Sequence, residues 1–401
     1  MDEKGNGMER VDIEHKKKVR GRVSKVILRF ALVIMFLCVI GVTVYFALLF
    51  YRNKYGTFES YDVITSIEKI EGNSSKYYSY NELLLKYSRD GAMTIDSAGE
   101  YLWNGSYEMN DPVIDVCGDY VAVADRGSKL VHIFNESGMV NSITVEHSIL
   151  SVQVANQGVI SVMMEDGNAV YVTMYKPDGK VISDNNKDVT STGFPLSMDL
   201  SNDGQKVIVS YFDVLSGSLK TNIACYNFDD VGKNESNNFV GGNIYNDEVV
   251  ANVKFITNDL VCFFKDRGFE LYSMPRKLAE TPIVTVDFET DIQSIFYSSS
   301  YVGFVLDTAE ENYKYKVVVY NTKGKKVLEK GMNFDYTDVN MNDSDIIFYN
   351  YTECMVMSVD GTIRFQYKFD QSIDALYGIS KNQFYVVYAN RVEVIQMRGA
   401  R

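Results

Sequence analysis

Histidine is nearly missing from this chain, with three in 401 residues. Proline numbers five, tryptophan one and cysteine five. Each scarcity closes a class of function. A Ser–His–Asp hydrolase would have to use His132 or His147, because His15 falls in a basic N-terminal stretch, and no G-x-S-x-G elbow accompanies either. His132 lies within an apolar strand (VHIF) and His147 near a strand end, where a packed histidine is the default reading. Five prolines exclude a Pro-rich stalk, and the 28 scattered glycines exclude a collagen-like repeat. The cysteines form no C-x-x-C pair and have no histidine at zinc spacing. Cys38 sits in a long apolar run. Cys117, Cys225, Cys262 and Cys354 lie far apart in or beside apolar strands, which favours buried free thiols, although spacing leaves pairing open. A positive balance is also missing: the net charge of −13 argues against a nucleic-acid partner.

What remains is rich in core-forming material. The chain is 46% hydrophobic and 13% aromatic, too apolar for a disordered protein and enough for a sizeable core. Its charge is segregated. Residues 1–29 hold nine of the 40 basic and five of the 53 acidic residues, so the arm is net positive and the rest strongly negative. Between them runs Phe30–Tyr51, FALVIMFLCVIGVTVYFALLFY, without a charge. As a helix it would be about 33 Å long, enough to cross a bilayer core. Lys16, Lys17, Lys18, Arg20, Arg22, Lys25 and Arg29 precede it with no acid among them, which predicts a cytoplasmic N-terminus and an extracytoplasmic body. A cleaved signal peptide fits poorly, since the run is long and no A-x-A-like site follows. The expected organisation is a basic, disordered cytoplasmic arm over 1–25, a single transmembrane helix over 26–51, a linker over 52–60 and a folded domain over 61–401.

That domain carries a repeat. A short alternating strand ends in an aromatic or aliphatic residue, with Gly four positions on: MTIDSAG, VHIFNESG, VTMYKPDG, VVVYNTKG, VMSVDG and VEVIQMRG. IACYNFDDVG and FELYSMPRK are weaker copies. The anchors are Ile95, Phe134, Tyr175, Tyr226, Tyr272, Tyr320, Met357 and Ile395. Each copy follows a second strand that ends at a turn residue: Asp90, Asp125, Asp166, Asp213, Asp266, Asp307, Asn350 or Asn390. A third, shorter strand lies upstream in seven copies, at 113–116, 150–154, 196–200, 250–255, 292–296, 337–341 and 373–377. A more variable fourth strand follows the Gly. Four antiparallel strands per unit of this length predict an all-β fold, a β-propeller. The last unit supplies three strands, and DVITSIEKI (62–70) is a spare strand able to complete it. Eight blades are expected, with seven as the alternative.

The stretches LLLKYSRDGAMTIDSAGEYLWNGSYEM, PVIDVCGDYVAVAD, PLSMDLSNDGQKVIVSY and SIFYSSSYVGFVLD resemble an uncharacterised family of membrane-anchored bacterial propellers, domain of unknown function 5711. The resemblance implies a one-helix membrane protein with an extracytoplasmic propeller of WD-repeat-like or quinoprotein-like type, and it carries no activity. Asp96-x-x-Gly99-x-x-x-Trp103 is similar to one copy of the quinoprotein blade-docking motif, where the Trp packs between blades. Leu328 or Phe365 stands at that offset elsewhere, so the likeness implies fold and no quinone.

Candidate chemistry centres on the second-strand turns. If they share one rim, Asp125, Asp166, Asp213, Asp266 and Asp307 are candidate ligands for Ca²⁺ or a cationic partner. The competing explanation is local: Asp and Asn bond their own backbone and start turns. Asp184–Asp188 (DNNKD) is a faint calcium-loop likeness without the Gly or Glu such a loop needs, and reads as a solvated loop. The polar, Gly-rich insertion 229–247 reads as a flexible rim loop. No catalytic residue and no cofactor is assigned. The expected role is a non-catalytic, membrane-tethered module whose rim binds a protein or cell-envelope component. The alternative is an envelope enzyme or a cofactor- or metal-binding propeller using its central funnel.

Overall fold

The second strand of each repeat is an almost unbroken apolar run, such as VAVAD or LVCFFK. A strand of that kind is stable only with both faces covered. The computed structural model, which describes residues 34–47, 56–69, 75–188, 192–214 and 217–399, places each run in the middle of a four-stranded antiparallel sheet. There are eight such sheets. Blade 1 spans 76–106, blade 2 112–144, blade 3 148–188 and blade 4 194–246. Blade 5 spans 250–287, blade 6 292–332 and blade 7 338–368, and blade 8 combines 373–398 with Ser60–Glu68. Within a blade the strands follow chain order, and they are called inner, second, third and outer below. In blade 8 the outer strand is Ser60–Glu68, paired antiparallel with Arg391–Arg398. The spare strand therefore closes an eight-bladed ring. The chain enters the ring at Phe58, whose N–H bonds Arg364 O at 2.7 Å.

The recurring Gly belongs to the turn between third and outer strands. Gly99, Gly138, Gly179, Gly324 and Gly361 hold φ from +75° to +107°, a region costly for any residue with a Cβ. A polar residue before the Gly fixes the same turn: Asp96 accepts the N–H groups of Ala98 and Glu100 at 2.9 and 2.8 Å, and Asn321 accepts those of Lys323 and Lys325. All eight anchors lie on third strands, and all are buried. Burying a side chain of this size contributes roughly 1.5–3 kcal/mol. The core lies between blades. One cluster joins blades 1 and 2 through Leu85, Trp103, Val123 and Phe134, and six further clusters bridge successive blades. Trp103 stacks on Phe134 at 4.7 Å, and Leu328 and Phe365 are buried at the same offset.

The structure corrects three sequence expectations. The insertion 229–247 is not one loop. It makes two 3-10 turns, Gly232–Asn234 and Ser236–Asn238, and then the outer strand of blade 4, Phe239–Asn246, because a third strand needs a pairing partner even where Gly241 and Gly242 dilute its β propensity. Asp184–Asp188 likewise belongs to an outer strand, Val181–Asp188, and is no solvated loop. Blade 1 has an inner strand that the repeat did not reveal, Lys76–Tyr80.

The chain divides into two compact units, Met1–Gly56 and Thr57–Arg401. Of the apolar run Phe30–Tyr51, the described part, 34–47, is helical; the ends of the run and the basic arm 1–25 lie outside the described residues. Among the described residues no helix is long and apolar enough to cross a membrane.

Candidate functional site

The second-strand turn residues all stand at the turn between second and third strands, one per blade. Their side chains differ in use. Asp125 is buried and accepts the N–H groups of Asn110 and Asp111, both at 2.9 Å, which pins the connection from blade 1. Asp307 accepts from Gln293 Nε2 at 3.0 Å. Asn350 accepts the N–H groups of Thr352 and Glu353 and donates to Asp335 O. Asn390 accepts from Arg391 at 3.3 Å. Asp166 is 70% exposed, 3.5 Å from His147 Nδ1. Asp90, Asp213 and Asp266 occupy the equivalent turns. Among the described residues no three His, Cys, Asp or Glu side chains gather into a metal-holding group. Beside Asp90 a cleft of about 420 Å³ opens between blades 1 and 2, lined by Lys76, Arg89, Asn110 and Asp111 among others.

His132, His147 and the thiols of the ring take structural places. His132 is buried against Tyr107 and Phe134, and burial lowers its pKa. His147 stacks on Tyr171 at 4.1 Å. All five cysteines are free; burial pushes the Cys354 thiol up to about 12 and that of Cys117 likewise, so neither is a thiolate at neutral pH.

The inner strands hold the constellation that the repeat did not disclose. Strand register defines an equivalent inner position in every blade, one step from the level of the anchor. It is filled by Tyr78, Asp115, Gln153, Asp199, Lys254, Phe296, Asn340 and Tyr377. In blade 6 Phe296 turns into the core over Gly303, and the next residue, Tyr297, is 37% exposed. Several of these groups stitch the ring. Asp115 accepts the N–H of Val154 in blade 3 at 2.7 Å, and Asp199 that of Phe255 in blade 5 at 2.6 Å. Asn340 donates to Leu376 O in blade 8 at 3.0 Å, and Tyr377 to Tyr77 O in blade 1 at 2.9 Å.

Lys254 Nζ lies 2.7 Å from Asp199 Oδ1. Burial opposes its charge, but the carboxylates of Asp199 and Asp115 hold the ammonium protonated. Burial pushes Asp115 up to about 6, with Lys254 pulling the other way and Asp199 adding to the rise. Burial likewise lifts the Tyr78 phenol to about 12, although 46% of that side chain is still reached by water. Groups on the inner strands of blades 1, 2, 4, 5 and 6 thus come within electrostatic reach of one another around the central channel, where Tyr78 and Tyr297 keep contact with water. The signal that could have found them is the strand register, since their residue types vary from blade to blade.

Residues 54–397 match the model of a family of unknown function, DUF5711. The chain belongs to that family. No curated protein matches it in sequence. BamB from Moraxella catarrhalis is similar in structure, with a TM-score of 0.50 at 12% identity, over 84% of this chain and 100% of that one. A eukaryotic initiation factor gives a TM-score of 0.53 at 12% identity, over 86% and 90% of the two chains. At such identities the likeness speaks for the fold alone. For this DUF5711 propeller, function has to be argued from the rim and the channel.

Proposed function

We propose that this DUF5711 chain is a membrane-tethered, extracytoplasmic propeller that acts as a non-catalytic binding module for a protein or cell-envelope component. The observation that carries the reading is the rim of turns joining second and third strands. It carries one acidic or amide residue per blade, buried as a turn pin in Asp125 and exposed in Asp166 and Asp266, on turns held rigid by bonds such as those of Asp125 and Asn350. Rigid turns that expose carboxylates such as Asp166 and Asp266 suit recognition of a partner with a basic face, because their side chains lose little further entropy on binding. Tethering and orientation rest on the uncharged run Phe30–Tyr51 and the seven basic residues before it.

The test is crosslinking of the full-length protein in intact cells, followed by mass spectrometry of what co-purifies. One reproducible envelope protein or glycan, lost when exposed rim carboxylates are reversed (Asp166→Lys with Asp266→Lys), supports the module. Undiminished capture by that double variant refutes rim recognition. A second reading, a ligand-binding propeller, is favoured by the enclosed charges Asp115, Asp199 and Lys254.

A further inference from the structure

The channel holds a charge imbalance. Two carboxylates, Asp115 and Asp199, face one ammonium, Lys254, and that ammonium is bonded to Asp199. Asp115 is held by backbone N–H groups, that of Val154 at 2.7 Å and that of Val116, and among the described residues it forms no ion pair. An enclosed negative charge without a bonded cation is costly, and it is relieved in one of two ways: by a proton or by a cationic guest. The walls suit the second. Tyr78 and Tyr297 stand on the inner strands of blades 1 and 6, each within electrostatic reach of Asp115, and each keeps over a third of its surface open to water. An aromatic face attracts a cation through its quadrupole, most strongly when both are desolvated.

We propose that the central channel binds a small organic cation, a protonated amine, with Asp115 as its counter-ion and Tyr78 and Tyr297 as its aromatic walls. This goes beyond rim recognition and stands whether or not the rim reading does. Lys254 remains with Asp199, so the guest answers the one carboxylate left over. Its ammonium donates to Asp115 while its alkyl part lies along the tyrosine rings. No covalent step is involved.

The test is calorimetric titration of the full-length protein in detergent at pH 8 with butylammonium, and with butanol as the neutral control of the same shape. Saturable butylammonium binding with no butanol binding is expected. Asp115→Asn should weaken it at least tenfold while Tyr78→Leu weakens it severalfold, and melting curves would show that both variants fold. The charged or titratable groups around Asp115 are Asp199, Lys254, Tyr78, Tyr297 and Cys117, and of these Asp115 is the one pushed up to about 6. Butylammonium keeps its proton from pH 8 to pH 5, so binding should fall away as pH drops through 6. Equal binding of butanol, unchanged affinity in Asp115→Asn, or binding of sodium or potassium chloride with none of butylammonium would each overturn the proposal.

Discussion

A carboxylate that burial pushes up makes the folded protein less stable wherever it is ionised, and Asp115 allows that cost to be measured. Its pKa in the ring is about 6, with burial the dominant cause. In the unfolded chain an aspartate titrates near ~3.9. Between those two values the folded state binds more protons than the unfolded one, so this group's effect on stability worsens as pH rises from about 4 to about 6 and is fully expressed above that. Two pKa units correspond to roughly 3 kcal/mol. Asp115→Asn removes the charge and keeps an oxygen to accept the Val154 N–H. The variant should therefore be more stable than the native chain at pH 8, by up to roughly 3 kcal/mol, and no more stable at pH 4. At a conversion on the order of 2 °C per kcal/mol, melting should rise by roughly 5 °C at pH 8. Thermal unfolding of both full-length proteins at the two pH values checks this. A melting point at pH 8 that is unchanged or lowered by the substitution, or a gain of the same size at pH 4, refutes the reasoning. Stabilisation joined to loss of amine binding is the pattern expected of a residue kept for function at the expense of the fold.

Other substitutions test the ring itself. Arg364 is fully buried, paired with the nearly buried Asp345, bonded to Asn382 and set 5.5 Å from the Phe58 ring; Arg364→Ala strands the carboxylate and should cost about 3–5 kcal/mol in urea unfolding, and a loss below 1 kcal/mol would contradict the buried pair. At the rim, Asp125→Ala abandons two backbone N–H groups and should cost about 1–3 kcal/mol, whereas the exposed Asp166→Ala should stay within about 0.5 kcal/mol. Equal effects would show that the two turns are built alike. In blade 6, a Cβ at Gly303 would lie 2.0 Å from the Phe296 ring, so Gly303→Ala should destabilise by about 1–3 kcal/mol, and Phe296→Leu should recover part of that loss in a double-mutant cycle.

How far the fold could be read from residues followed from where packing constrains residue type. Third-strand anchors such as Phe134 and Tyr226 sit between blades, must be large and apolar, and recur visibly. The turn Gly recurs because φ is positive there, and Ser60–Glu68 announced ring closure by being one strand too many. Legibility failed where constraint relaxes. Lys76–Tyr80 lacks β-branched residues, Phe239–Asn246 carries two glycines, and Val181–Asp188 has only two apolar residues, Val181 and Ile182, at its start. The Asp-ending turns were placed correctly along the chain, but whether a given carboxylate pins a loop, as Asp125 does, or faces water, as Asp166 does, depends on what the neighbouring blade sends toward it.

The channel was illegible for a related reason. Packing between blades selects for sameness, because every interface is the same problem. Along the inner strands the neighbouring blade offers backbone groups to bond as well as side chains to pack, so each blade is free to place a different group there, and Asp, Gln, Lys, Phe, Asn and Tyr share one register position. Some of that variety is spent on stitching adjacent blades, as Asn340 and Tyr377 are. Stitching needs hydrogen-bonding groups but no net charge: Asn340 bridges blades by donating from an amide, and an amide oxygen can accept the Val154 N–H as a carboxylate does. An ionised Asp115 therefore does more than the stitch requires, at a cost in stability that an asparagine would avoid. That surplus is the strongest physical reason to look for the ligand of this propeller at its centre as well as on its rim.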